Sequence, residues 1–138
     1  MADYAIKEIE GVGEVYASKL QEVGIKTVAN LLERGKTPKG RKELAAATDI
    51  SEKLILKWVN MSDLFRVKGI GPEYSELLEK AGVDTVKELR NRVPENLHAK
   101  LEAANASTGR PLVRALPSLK AVQSWVQAAK QLEPVVTY

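Results

Sequence analysis

Apolar positions along this chain recur at spacings of three and four residues, interrupted at short intervals by glycine, proline and hydroxylated residues. Ile6 and Ile9 form an i, i+3 pair, and Tyr16, Leu20 and Val23 share one face of the segment that follows. Farther on, Leu64 and Val67 repeat the pair, and Tyr74, Leu77, Leu78 and Ala81 repeat the face. Such spacings suit a helix of 3.6 residues per turn. They predict brief helices over about 3–9 and 62–67, each followed by an amphipathic helix over about 14–23 and 72–81. Gly24 and Gly82 stand where a left-handed helix stop belongs. Thr27 and Thr85 are placed to N-cap the next helix. Thr37-Pro38 reads as a cap followed by a first-turn proline, and Val93-Pro94 marks the equivalent start later in the chain. Ser51 and Ser118 open a last helix in each half. In the second of these, Leu119, Val122, Val126 and Ala129 line one face, with Trp125 and Leu132 beside them. No alternating, β-branched run occurs, so strands are not expected.

The same order of residues occurs twice. Ile6, Ile9, Tyr16, Leu20, Gly24, Thr27-Val28 and Leu31 match Leu64, Val67, Tyr74, Leu78, Gly82, Thr85-Val86 and Leu89 at an offset of 58. At an offset of 57, Leu44, Ala46 and Ala47 match Leu101, Ala103 and Ala104. The second copy then gains a segment near Asn105–Ala115, after which Ser51, Ile55, Trp58 and Val59 match Ser118, Val122, Trp125 and Val126. The division expected is residues 1–60 for the first unit, 61–132 for the second and 133–138 for a frayed C-terminal tail. A unit of about 60 residues is marginal for independent stability, so the copies are expected to pack into one compact body. The tryptophans are expected at the centres of the two half-cores. The stretch Ser107-Thr-Gly-Arg-Pro111, which breaks the symmetry, is expected to be the most flexible.

The duplicated unit opens on one short pattern, Ile9-Glu-Gly-Val-Gly13 and Val67-Lys-Gly-Ile-Gly71. An apolar residue, then glycine, apolar, glycine, at the start of an amphipathic helix is what a helix-hairpin-helix turn needs. Glycine permits φ > 0 in a tight reversal. It also leaves backbone N–H groups uncovered beside a helix N-terminus, where an anion can approach. The fold expected is therefore all-α, with two tandem, pseudo-equivalent helix-hairpin-helix units.

Composition narrows the chemistry. The chain has 138 residues, 44% hydrophobic and 28% charged, with net charge +3, no cysteine and one histidine. Disulfides are excluded, and neither a transition-metal site of the usual kind nor a cofactor is expected. The mild positive charge is compatible with nucleic acid without arguing for it. No leader-like start and no apolar stretch of membrane length occurs, so no membrane association and a cytoplasmic location are expected. His98 stands alone within a helical pattern, and no recognisable catalytic motif accompanies it. Catalysis is not expected. Gly35-Lys36-Thr37 is reminiscent of a phosphate-binding loop, but the required earlier glycine is Asn30, no strand precedes it, and Pro38 follows. That reading is rejected.

Glu10–Leu20, Thr37–Leu44 and Ser51–Val59 resemble a prokaryotic family of paired helix-hairpin-helix proteins, usually labelled a domain of unknown function. Pro94–Lys100 and Leu116–Lys120 fit it too, and the resemblance covers about residues 5–132. Each half is similar, more loosely, to the small helical N-terminal domain of recombinases. The resemblance implies an all-α fold with two hairpins. It supplies no activity, and its link to DNA runs only through the wider superfamily.

Two readings of the hairpins follow. In the first, Gly11, Val12 and Gly13, and Gly69, Ile70 and Gly71, present amides to the phosphates of duplex DNA, and binding is independent of sequence. Arg66 and Lys68 lead into the second hairpin, and Lys36, Lys39, Arg41 and Lys42 supply a supporting basic run. Arg110, Arg114 and Lys120 could form a further basic edge. In the second reading, Val12 and Ile70 only plug the core, and the protein engages a protein partner or acts as a scaffold. Charge divides the hairpins. Glu8, Glu10 and Glu14 surround the first and repel phosphate, which makes the second, despite Glu73, the better candidate. Trp58, Trp125, Tyr16 and Tyr74 are expected to pack in the core rather than to stack on bases.

Overall fold

The computed structural model describes residues 4–107, 109 and 112–138; Thr108, Arg110 and Pro111 of the inserted stretch lie outside the described residues. Among the described residues there are eight α-helices and no strand, with one isolated antiparallel bridge between Ala5 and Thr27. The chain divides into two compact units. One runs to Asp63 and includes Val135–Tyr138; the other is Leu64–Pro134. The boundary expected after residue 60 therefore falls after residue 63. The last four residues do not form a separate frayed tail.

In the first unit a 3-10 turn, Ile6–Glu8, precedes α1 (Gly13–Glu22), α2 (Val28–Gly35), α3 (Pro38–Thr48) and α4 (Glu52–Leu64). The cap at Thr27 forms in both directions: Asn30 N–H donates to Thr27 Oγ1 at 3.2 Å, and Thr27 N–H donates to Asn30 Oδ1 at 3.2 Å. Thr37 Oγ1 accepts from Gly40 N–H at 3.0 Å, with Pro38 in the first helical turn. At the end of α1, Gly24 adopts φ +90. Ile25 N–H reaches back to Leu20 O at 3.0 Å, and Gly24 N–H to Gln21 O at 3.0 Å. Six-to-one and five-to-two bonds of this kind close a helix on a left-handed residue. Ile6, Ile9, Val12, Leu20, Ile25, Leu31, Leu44, Ile55 and Trp58 are buried.

The second unit holds α5 (Pro72–Lys80), α6 (Val86–Leu89), α7 (Pro94–Ser107) and α8 (Leu119–Lys130). Leu64, Val67, Ile70, Leu77, Leu78, Val83, Leu97, Leu101, Val122, Trp125 and Val126 belong to one buried cluster. The end of α5 is built like the end of α1. Gly82 has φ +91, Val83 N–H donates to Leu78 O at 2.9 Å, and Gly82 N–H to Glu79 O at 3.0 Å. Ser118 Oγ caps α8 by accepting from Ala121 N–H at 3.0 Å. Tyr16 packs on Trp58 with ring centroids 5.2 Å apart and planes at 58°. Tyr74 packs on Trp125 at 5.1 Å and 54°. The four aromatic side chains thus pair off inside their units, in tilted geometry that suits their quadrupoles.

Two expectations change. The brief helix expected at 62–67 is not separate, because α4 runs unbroken through Leu64. No glycine or proline interrupts Glu52–Leu64. Thr85 occupies the N-cap position of α6, yet its hydroxyl makes no cap bond. Just beyond the stretch expected to be flexible, Asn105 Oδ1 accepts from Leu112 N–H at 2.7 Å and Val113 N–H at 3.2 Å, and Val113 is buried.

Candidate nucleic-acid interface

Each glycine turn is built from the apolar residues outward. Val12 and Ile70 are 2% exposed and anchor their turns in the core. Burying such a side chain is worth about 1.5–3 kcal/mol. Their own amides are used. Val12 N–H donates to Ile9 O at 3.2 Å, and Ile70 N–H donates to Val67 O at 3.1 Å. These two N–H groups are not available to a phosphate, which corrects their place among the candidate contacts. The flanking glycines differ. Gly11 and Gly69 adopt φ +91 and +94, where a side chain is strained. A methyl group on Gly69 would stand 3.0 Å from Trp125 Nε1, and one on Gly11 would stand 3.8 Å from Trp58 Nε1.

The second glycine of each turn follows no single rule. Gly13 has φ +65 and opens α1, whereas Gly71 has φ −113 and is the extended N-cap of α5. Left-handed freedom is thus needed at Gly13 but not at Gly71. Among the described residues, no group accepts a hydrogen bond from the N–H of Gly11, Gly69 or Gly71. Gly13 N–H lies in the first turn of α1, where amides lack partners within the helix. Gly11, Gly13 and Gly69 are exposed, and Gly71 is half-buried.

The side chains around the turns set their electrostatics. A hollow of about 350 Å³ at the first turn is lined by Lys7, Glu8, Ile9, Glu10, Gly11 and Gly13. Glu8 Oε2 accepts from Ala5 N–H at 2.9 Å, while Glu10 and Glu14 are exposed. The surroundings are acidic, as the sequence suggested. At the second turn Lys68 is exposed, with no ion pair or hydrogen bond among the described residues. Arg66 is half-buried and donates from Nη2 to Glu133 O at 2.9 Å. Glu73 is exposed one residue into α5.

The supporting basic run lies in the first unit, at the end of α2 and the start of α3. Lys39 and Lys42 are exposed, and Lys36 pairs with Glu33 at 3.2 Å. Arg41 does not stand with them. It is 6% exposed; Nη1 donates to Gly35 O at 2.9 Å and Nη2 to Thr137 O at 2.6 Å. Its burial pushes the guanidinium below its ordinary pKa range, against the opposing pull of Tyr138 and Glu52. A single letter in a basic run does not reveal which cation turns inward. The contrast with Arg41 came only with the fold.

The sequence reading missed the carbonyl-binding arginines. Arg34 Nη1 donates to Val23 O at 3.0 Å, and Arg92 Nη2 donates to Gly82 O at 3.0 Å, each just past the helix that opens at a glycine turn. The shared offset of Arg34 and Arg92 within the repeat was the available signal. His98 Nε2 lies 3.0 Å from Pro117 O, a tether between α7 and the segment before α8. Arg114 and Lys120 are exposed, and Arg110 lies outside the described residues.

Among the described residues, no helix is long and apolar enough to cross a membrane. No curated protein and no solved structure matches the chain. One family does match, over residues 10–132: the chain belongs to the domain of unknown function DUF4332.

Proposed function

We propose that the chain is a non-catalytic module of two tandem, pseudo-equivalent helix-hairpin-helix units that binds duplex DNA through its phosphate backbone, without regard to sequence. The observation that carries this reading is the second turn. Gly69 and Gly71 hold N–H groups with no acceptor among the described residues, beside the exposed ammonium of Lys68. Paired amides and one cation at the start of a helix suit a phosphate oxygen and carry no base information. Repeated features support the tandem reading. Both units end their first full helix on a left-handed glycine with the same bonds, and both set a tyrosine against a tryptophan.

A fluorescence-anisotropy titration of a labelled duplex tests the proposal. Micromolar-range binding is expected at low salt, with log K falling linearly in log[salt] by about 0.9 for each phosphate engaged. Absence of binding to every duplex and single strand at low salt ends the reading. A second reading has its own support at the first turn. There the carboxylates of Glu10 and Glu14 and the exposed Val15, 71% accessible, suit a protein partner better than a phosphate. A protein that co-purifies and is retained at high salt is the outcome that reading expects.

A further inference from the structure

Each glycine turn has a side-chain donor beside it as well as its backbone amides. In the second unit Trp125 is 4% exposed, and in the first Trp58 is 1% exposed. The ring edge that carries the N–H lies against a turn glycine in both. Nε1 and Cδ1 of Trp125 are 3.0 and 3.8 Å from where a Cβ of Gly69 would stand, and Trp58 Nε1 is 3.8 Å from the same point on Gly11. A buried indole N–H ordinarily finds a partner, and it can only donate. Among the described residues neither indole N–H has an acceptor, yet every fully buried side-chain nitrogen or oxygen there has a partner. Each indole nitrogen therefore opens to the surface beside its glycine, out of a ring that is otherwise enclosed.

We propose that the Trp125 indole N–H is a binding donor of the second turn, which joins the N–H of Gly69 in holding a phosphate oxygen of duplex DNA. This rests on the DNA-binding reading above and adds a side chain to its site. The donor and the turn belong to one unit. Gly69 N–H has no acceptor among the described residues, and the exposed Lys68 supplies positive charge one residue away. Glycine at 69 has a chemical consequence as well as a conformational one: a Cβ 3.0 Å from Nε1 would cover the nitrogen. Phenylalanine could fill the ring position and pack on Tyr74, but it would bring no donor. A phosphate oxygen is charged, and a hydrogen bond to it is stronger than one to a neutral acceptor. Trp58 is placed alike at the first turn, where the exposed Glu10 and Glu14 oppose an incoming anion. The matched indole is thus an internal reference for the one proposed to bind.

The two indole N–H resonances of the full chain test this in a proton–nitrogen correlation spectrum, with Trp58→Phe to assign them. As duplex is added, the Trp125 indole proton is expected to move downfield and to saturate at the Kd that anisotropy gives, while the Trp58 resonance moves far less. Trp125→Phe, its helicity checked by circular dichroism, is expected to bind duplex roughly tenfold more weakly, the loss of one hydrogen bond to a charged acceptor. Its salt slope is expected to match wild type, because a neutral donor releases no counterion, whereas Lys68→Ala is expected to lower the slope by about 0.9. A Trp125 resonance that stays in place while duplex binds overturns the donor and leaves the DNA reading standing. Undiminished affinity in folded Trp125→Phe does the same, and if that variant does not fold the wild-type resonance decides alone. Equal or larger movement of the Trp58 resonance overturns the assignment to the second turn. No duplex binding by wild type overturns the donor and the DNA reading together.

Discussion

At the scale of single residues, the glycine turns separate conformational need from chemical opportunity. Gly69 needs its lack of a side chain twice over, for φ +94 and for the Trp125 indole nitrogen 3.0 Å from where a methyl would stand. Gly71 needs neither left-handed torsion nor a side-chain cap. Gly69→Ala is therefore expected to lower unfolding free energy by about 1–3 kcal/mol. Gly71→Ala is expected to stay within about 1 kcal/mol of wild type, because it also restricts the unfolded chain. Urea melts followed by circular dichroism decide between them, and equal losses would show that the backbone conformation assigned to one of the two is wrong. Arg41 makes the complementary point. Its cationic head is spent on two carbonyls, so a run of basic letters overstates the charge offered to a phosphate.

At the scale of elements, local chemistry set most boundaries. Thr37-Pro38 opens α3 and Ser118 opens α8 with the cap bonds their positions call for. Gly24 and Gly82 close α1 and α5 with matching bond pairs. These were legible because a cap or a stop is decided by residues within one turn of it. Thr85 shows the limit: the same residue type at the equivalent position makes no cap bond, although Glu88 three residues on completes the pattern of a capping box, and α6 is only four residues long. Thr27→Val is expected to cost about 1 kcal/mol through the lost cap acceptor, and Thr85→Val is expected to cost less, in parallel thermal melts. A larger loss at Thr85 would mean that its buried hydroxyl carries an interaction of its own. The C-terminal residues were illegible for a different reason. Their partners lie 96 and 101 positions away, at Arg41 and Lys36, and they dock chiefly through backbone atoms that any sequence possesses. Periodicity registers side chains on one helix and has no access to such pairings.

At the scale of the whole molecule, a net charge of +3 is too small to draw DNA in by itself, so the placement of a few charges has to decide. Glu10 and Glu14 stand exposed at the first turn, and Lys68 stands exposed at the second. Lys68→Glu is accordingly expected to weaken duplex binding more than Glu14→Lys does. The opposite order in anisotropy titrations would transfer the contact to the first turn. The repeat was readable as a list of matched letters. What the letters did not carry was the asymmetry laid over it: a cation turned inward in one copy, and a C-terminal segment that leaves the second unit to finish the first.

The aromatic pairs have a practical corollary. The chain has two tryptophans, and each unit contains one, with a tyrosine 5.2 or 5.1 Å away as its neighbour. Every unit is thus equipped with its own intrinsic fluorophore. Trp125→Phe leaves emission that reports on the first unit through Trp58, and Trp58→Phe leaves emission that reports on the second. Emission-monitored denaturation of the two variants resolves whether the halves melt at one midpoint or at two, without any external dye.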